Sequence, residues 1–167
     1  MTHTDTDTGS GTGALRDRAA ITDLLNGFLL SLDERVRDPA RFDAEWARAY
    51  FTEDVAMEMP IGTVHGRDAA AARIREGMSL FDRTVHMATG SVVTVDGDRA
   101  TATGPQLSTH ILAGGTDGTD GDGDLFVSAG HASSDLVRTA EGWRIARSAL
   151  RIVWTQGTPP RVPAPRP

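Results

Sequence analysis

Cysteine is absent from the 167-residue chain. That absence excludes a disulfide framework, a thiolate nucleophile and any Cys-based zinc site. Lysine is absent as well, since all 17 basic residues are arginine. With no side-chain amine to form a Schiff base, catalysis would have to run on histidine, carboxylates, hydroxyls or arginine. No arginine-rich run interrupts the net charge of -6, so the basic footprint of a nucleic-acid binder is missing. No window approaches the ~18 consecutive apolar residues of a membrane helix, and the polar start, Met1 to Gly13, has neither a cationic nor an apolar segment. The expectation is a cytoplasmic protein with no nucleic-acid and no membrane partner.

What is present suits one domain. A hydrophobic share of 39% is enough for a core at this length without a covalent or metal staple. Residues 1–13 and the Pro-rich tail 158–167 cannot bury enough apolar area to offset chain entropy, and both are expected to be disordered around a domain at 14–157. Within it, Ile21, Leu24, Leu25, Phe28, Leu29 and Leu32 recur at helical spacing, which predicts a core-facing helix from Leu15 to Leu32. Asp38-Pro39 reads as an N-cap with proline at the first helical position, followed by Phe42, Trp46, Ala49 and Tyr50 on a second helix. Val55 to Met59 alternates briefly before Pro60, as a short edge strand does, and a third helix is expected from Asp68 to Leu80.

From Arg83 the pattern turns to strands. Thr84 to Val95 and Arg99 to Leu112 are rich in Val, Thr and Ile and are joined through Asp96-Gly97-Asp98, a hairpin signal. Leu125 to Arg138 and Trp143 to Trp154 form a second hairpin beyond the low-complexity loop 113–123. Three helices followed by long strands define an α+β fold: a cone-shaped roll of strongly curved antiparallel sheet wrapped around three N-terminal helices, with a hollow between them.

In order along the chain stand Leu32-Asp33 at the end of helix one, Tyr50-Phe51-Thr52-Glu53-Asp54-Val55, and Gly62-Thr63-Val64-His65-Gly66-Arg67-Asp68 opening helix three. Thr84-Val85-His86-Met87, His110, Gly130-His131-Ala132 and Glu141-Gly142-Trp143-Arg144-Ile145 follow on the strands. Over Leu15 to Gly157 this series resembles the SnoaL-like, nuclear-transport-factor-2-like superfamily, and within it most nearly the scytalone dehydratase branch. The resemblance implies an enclosed pocket for a small, largely apolar molecule and chemistry without a cofactor. It also implies an Asp at the end of helix one and two strand histidines facing that pocket, here Asp33, His86 and His110. Where that branch has tyrosines for the substrate carbonyl, Leu32 and Met59 stand instead, so scytalone itself is not the expected substrate.

The register of the first hairpin decides whether the histidines can meet. If Asp96-Gly97-Asp98 forms a three-residue loop, His86 lies opposite Ser108, and His110 is its diagonal neighbour on the same face, roughly 7–8 Å away. A two-residue loop, or a bulge at Gly90 or Gly104-Pro105, flips the parity and separates them. Histidine suits proton transfer near neutral pH, and a carboxylate would orient one imidazole and stabilise its charged form. Without the resemblance, the simpler account is two strand histidines bonded to their neighbours and a solvated helix-end acid.

Tyr50, Met59, His131 and Trp154 are the candidates for substrate contact, although Tyr, Met and Trp are more often core residues and His131 could equally face solvent. His65 reads as a turn residue. The histidines lack the short spacing of familiar metal motifs, so no metal is expected. The function expected is a cofactor-independent dehydratase or cyclase/isomerase acting on a hydroxy-carbonyl, polyketide-like molecule by His/Asp acid-base catalysis. Two alternatives stand beside it: an epoxide-hydrolase-type enzyme using Asp135 with an arginine such as Arg151, and a non-catalytic binding or assembly module. A homodimer is expected in each case.

Overall fold

The computed structural model describes residues 8–60, 62–114 and 125–160. Helix α1 runs from Thr8 to Arg35, longer at both ends than the apolar stripe predicts. The expected disordered start at 1–13 therefore meets a helix over 8–13, while residues 1–7 lie outside the described residues. Extending an existing helix costs far less than nucleating one, so the stripe carries the polar turns before it. Its inward face buries Ile21, Leu29 and Leu32.

Asp38 and Pro39 open only a 3-10 turn, Pro39–Arg41, and Asp38 makes no side-chain cap. The real cap of helix α2, Ala44–Tyr50, is Asp43, whose carboxylate accepts from the Trp46 backbone N–H at 2.8 Å. Helix α3 spans Arg67–Met78 and buries Ala70, Ala71 and Met78.

Seven strands follow or interleave: β1 Phe51–Met59, β2 Gly62–His65, β3 Phe81–Ala88, β4 Val92–Asp96, β5 Arg99–Leu112, β6 Leu125–Thr139 and β7 Gly142–Gly157. They form one open, curved sheet in the order β2-β1-β7-β6-β5-β3, with β4 also on β5. The sheet is mixed where an antiparallel one is expected, because β1 runs parallel to β7. Nor is β1 a short edge strand: it is nine residues long and lies inside the sheet, with β2 at the edge.

The first hairpin contains two departures that cancel. Asp96 pairs with Arg99, so the loop has two residues, not three. Between Ala88, opposite Gln106, and Val92, opposite Thr103, the chain then has three residues facing two. This break around Gly90, with φ of 62°, divides the expected single strand into β3 and β4 and restores the parity. His86 ends opposite Ser108 and His110 opposite Thr84.

The second hairpin closes through a two-residue turn between Thr139 and Gly142. Its pairing slips at Asp135/Leu136 and again at Ala129/Gly130, each time with one extra residue on β7. Such bulges bend a strand and sharpen its twist, which curves the sheet around the helices. Below the sheet, Phe42, Trp46 and Phe51 pack with Phe28 and Tyr50 in an aromatic cluster, and Trp46 Nε1 donates to Ser31 Oγ at 3.0 Å. Phe28 of this cluster also borders the hollow between the sheet and the helices.

Candidate active site

Asp33 sits near the C-terminal end of α1, one turn after Leu29, where the helix passes over β3. Its carboxylate is fully engaged. Oδ1 accepts from the Thr84 hydroxyl at 2.7 Å and lies 2.7 Å from His86 Nδ1, while Oδ2 accepts from the His86 backbone N–H at 2.9 Å. Burial alone would raise this carboxyl, but hydrogen bonds from the His86 ring, the His86 backbone and Thr84 outweigh it and hold the group below its ordinary range. A carboxylate facing Nδ1 makes that nitrogen the donor, so Nε2 is left for the cavity that His86 lines.

His110 stands beside His86, with ring centroids 5.2 Å apart at an angle of 83°. It lies between Phe81 at 4.4 Å and Phe126 at 5.6 Å, and its Nδ1 lies 3.1 Å from the Phe126 carbonyl oxygen, to which it donates. Burial first, then repulsion from His86, pushes this imidazole down to about 4 against weaker upward pulls from the Phe126 carbonyl and Asp33. His110 is therefore neutral near pH 7, and its Nε2 carries a lone pair.

Both rings line a cavity of about 350 Å³ between the concave face of the sheet and helices α1 and α3. Its wall is mainly apolar, with Phe28, Leu29, Leu32, Met57 and Met78 among the lining residues. Polar groups are confined to the sheet side, apart from Arg73 on α3, which also pairs with Glu76.

The structure thus brings Asp33, His86 and His110 together, with Asp33 behind His86. Of the residues expected to touch substrate, Met59 lines the cavity. Tyr50 does not: it packs in the aromatic cluster and its hydroxyl donates to the Gly27 carbonyl at 3.1 Å. His131 alternates with the inward-facing Ala132 and points to the outer face, where Arg151 approaches its Nδ1 at 3.1 Å. Trp154 is also outside, because the extra residue at Val153 hands the inward position to Thr155. Asp135 and Arg151 lie outside the cavity too, which removes the basis for the epoxide-hydrolase arrangement.

The sequence reading missed Thr84, Gln106, Ser108 and Ser128. Period-two spacing from His86 and His110 would have found the first three, and the β5–β6 register was needed for Ser128. Among the described residues, no group of three or more His, Asp or Glu could hold a metal ion. No described helix is long and apolar enough to cross a membrane.

A cone of helices and curved sheet, with an imidazole in the wall of an apolar hollow and a carboxylate behind it, defines a class of small pocket proteins. The chain belongs to the SnoaL-like domain family, whose model matches residues 13–149. It also has the nuclear-transport-factor-2-like fold. Among solved structures it is similar to the Kfla4162 protein from Kribbella flavida, with 26% identity over 86% of this chain and 95% of that one and a TM-score of 0.72. A hexachlorocyclohexane dehydrochlorinase, LinA type 2, shares the fold at 21% identity over 93% and 98% of the two chains, with a TM-score of 0.72. A Novosphingobium aromaticivorans protein described provisionally as a scytalone dehydratase does so at 23% identity over 92% and 96%, with a TM-score of 0.71. No curated protein matches the sequence.

Proposed function

We propose that the protein is a cofactor-independent lyase, a dehydratase or cyclase/isomerase, acting on a small, largely apolar, polyketide-like hydroxy-carbonyl molecule. The observation that carries this reading is His86, backed by Asp33, in the wall of an apolar cavity of about 350 Å³. Names of fold relatives, a dehydrochlorinase and a scytalone dehydratase, point to the same broad class of elimination chemistry.

The two histidines take unlike roles. His86 Nε2 removes the proton next to the carbonyl, and Asp33 stabilises the imidazolium that forms. His110 would be protonated in only about one molecule in a thousand at pH 7, so it is a poor acid for the leaving group. The proton on His86 is the better source: it passes to the departing hydroxyl, which leaves as water and returns His86 to its neutral form. The neutral His110 accepts a hydrogen bond from a substrate hydroxyl through Nε2 and so orients it.

The test is incubation with 3-hydroxyindanone in D2O, followed by NMR. The expected result is exchange of the α-protons and loss of water to the enone, both abolished in His86→Ala. Neither process above buffer rate across a panel of β-hydroxy-ketones would retire the enzyme reading and leave the binding module.

The same proposal places a homodimer on the outer face of the sheet, where Val85, Met87, Val153 and Trp154 are all about half exposed. Sedimentation of the wild type against Trp154→Asp would show the pair and its loss. The cytoplasm remains the proposed compartment.

A further inference from the structure

The sheet places one polar row across the cavity. His86 pairs with Ser108, Ser108 with Ser128, and Ser128 with Thr155, and all four line the hollow. Directly opposed residues on neighbouring strands have Cβ atoms about 4.5–5.5 Å apart, so one small molecule can touch the base and the adjacent hydroxyls together.

Two of these hydroxyls are buried with donor capacity to spare. Ser108 is 3% exposed and Ser128 is 6% exposed. Gln106 Nε2 donates to Ser108 Oγ at 3.2 Å, which occupies the oxygen as an acceptor and leaves the hydroxyl proton to be given elsewhere. Ser128 makes no side-chain hydrogen bond to any described residue. Both residues line the cavity, and a hydroxyl proton not used within the protein beside a candidate base is available to a molecule that enters it. On the helix side Leu29, Leu32 and Met78 have no donor, and the one cation there among the described residues, Arg73, is paired with Glu76.

We infer that Ser108 and Ser128 form a two-donor cradle for the carbonyl oxygen of the substrate, with Gln106 as the positioning residue that aims the Ser108 proton. The inference rests on the lyase reading for its chemistry and on the sheet register for its geometry. As His86 takes the α-proton, the C–H electron pair becomes the new C=C bond and the carbonyl π pair moves onto oxygen. That atom is bonded to the carbon beside the one being deprotonated, so its donors must stand next to the base, as Ser108 does. Donors aimed at developing charge act most strongly where water is excluded. The substrate class narrows to ketones or enones whose oxygen lies one strand away from the acidic C–H.

Binding of 2-naphthol, whose anion resembles a flat enolate, tests this without catalysis. Fluorescence titrations with 2-naphthol and with naphthalene, at pH values above and below naphthol ionisation, compare the wild type with Ser108→Ala and Ser108→Thr. The wild type is expected to prefer the naphtholate to naphthalene. Ser108→Ala should weaken the naphtholate roughly tenfold or more, as for a lost hydrogen bond to a charged group. Naphthalene should change less than about twofold, and Ser108→Thr should keep most of the preference. Equal loss of both probes in Ser108→Ala, loss of neither, or no naphtholate preference in the wild type would overturn the cradle. Failure of 3-hydroxyindanone exchange with the naphtholate preference intact would retire the lyase reading alone.

Discussion

Asp33 Oδ1 lies 2.7 Å from His86 Nδ1, although 53 residues separate the two in sequence. The second carboxylate oxygen takes the His86 backbone N–H, so the same acid fixes both the ring and the strand that bears it. Replacement by Asn keeps the shape but can present an N–H to Nδ1, turning the imidazole to the tautomer with its proton on Nε2. Asp33→Asn is expected to cost roughly a thousandfold or more in proton abstraction, the scale of the same swap in serine-protease triads. Nitrogen-detected NMR of His86 should show the proton on Nδ1 in the wild type and on Nε2 in the variant. An unchanged tautomer with unchanged exchange rate would refute the pairing as catalytic.

His110 makes stability depend on pH in a defined window. Its folded value of about 4 lies below the ordinary 6.5 expected when unfolded, so between those values the unfolded chain binds more protons. Stability therefore rises with pH through the window, is complete above about 6.5, and is lost toward pH 4 by about 3 kcal/mol. Asp33 contributes in the same direction, but its stabilisation begins to fall only as pH drops through its ordinary value of 3.8, below most of this window. Urea unfolding across pH 4–7 should show this slope in the wild type and a flatter profile in His110→Phe. Parallel profiles would mean that His110 is not buried as a neutral ring.

Gly130 is set where the pairing of β6 and β7 slips, and a Cβ there would lie 2.2 Å from the Arg151 carbonyl oxygen. Backbone cannot swing aside as a flexible side chain can. Gly130→Ala should destabilise the protein by about 1–3 kcal/mol or more through overpacking, read from thermal or urea melts. A melt identical to the wild type would show that the bulge yields at no cost.

Ala132 lines the cavity from the middle of β6. Ala132→Phe should fill part of the hollow and weaken 2-naphthol at least tenfold, the scale of losing a well-packed ring contact, while leaving the melting temperature equal or higher. Calorimetry against the wild type measures both. Undiminished binding would place the ligand site elsewhere.

Local chemistry is largely legible in the sequence. The apolar stripe from Ile21 to Leu32, the turns at Asp96-Gly97 and around Gly142, and the alternation of Val and Thr all report interactions between residues close in the chain. Met59 was placed in the cavity by its strand and Trp154 was not, although both looked alike as large apolar side chains near strand ends. The difference is the single extra residue at Val153, which nothing in the local composition of β7 marks. Tyr50 was lost for a similar reason: its hydroxyl meets Gly27, a partner on another helix.

The meeting of His86 and His110 shows where each kind of information ends. Sequence by itself determined the absence of thiol and amine chemistry, the α+β order of elements, and two histidines on neighbouring strands. Only the tertiary structure decided that a two-residue loop and an extra residue near Gly90 offset one another, leaving both rings on the concave face. Side chains on a strand alternate with period two, so one residue gained or lost reverses every face, and that count is fixed by packing across the whole sheet. The same packing buries His110 between Phe81 and Phe126 and thereby keeps that imidazole neutral at pH 7.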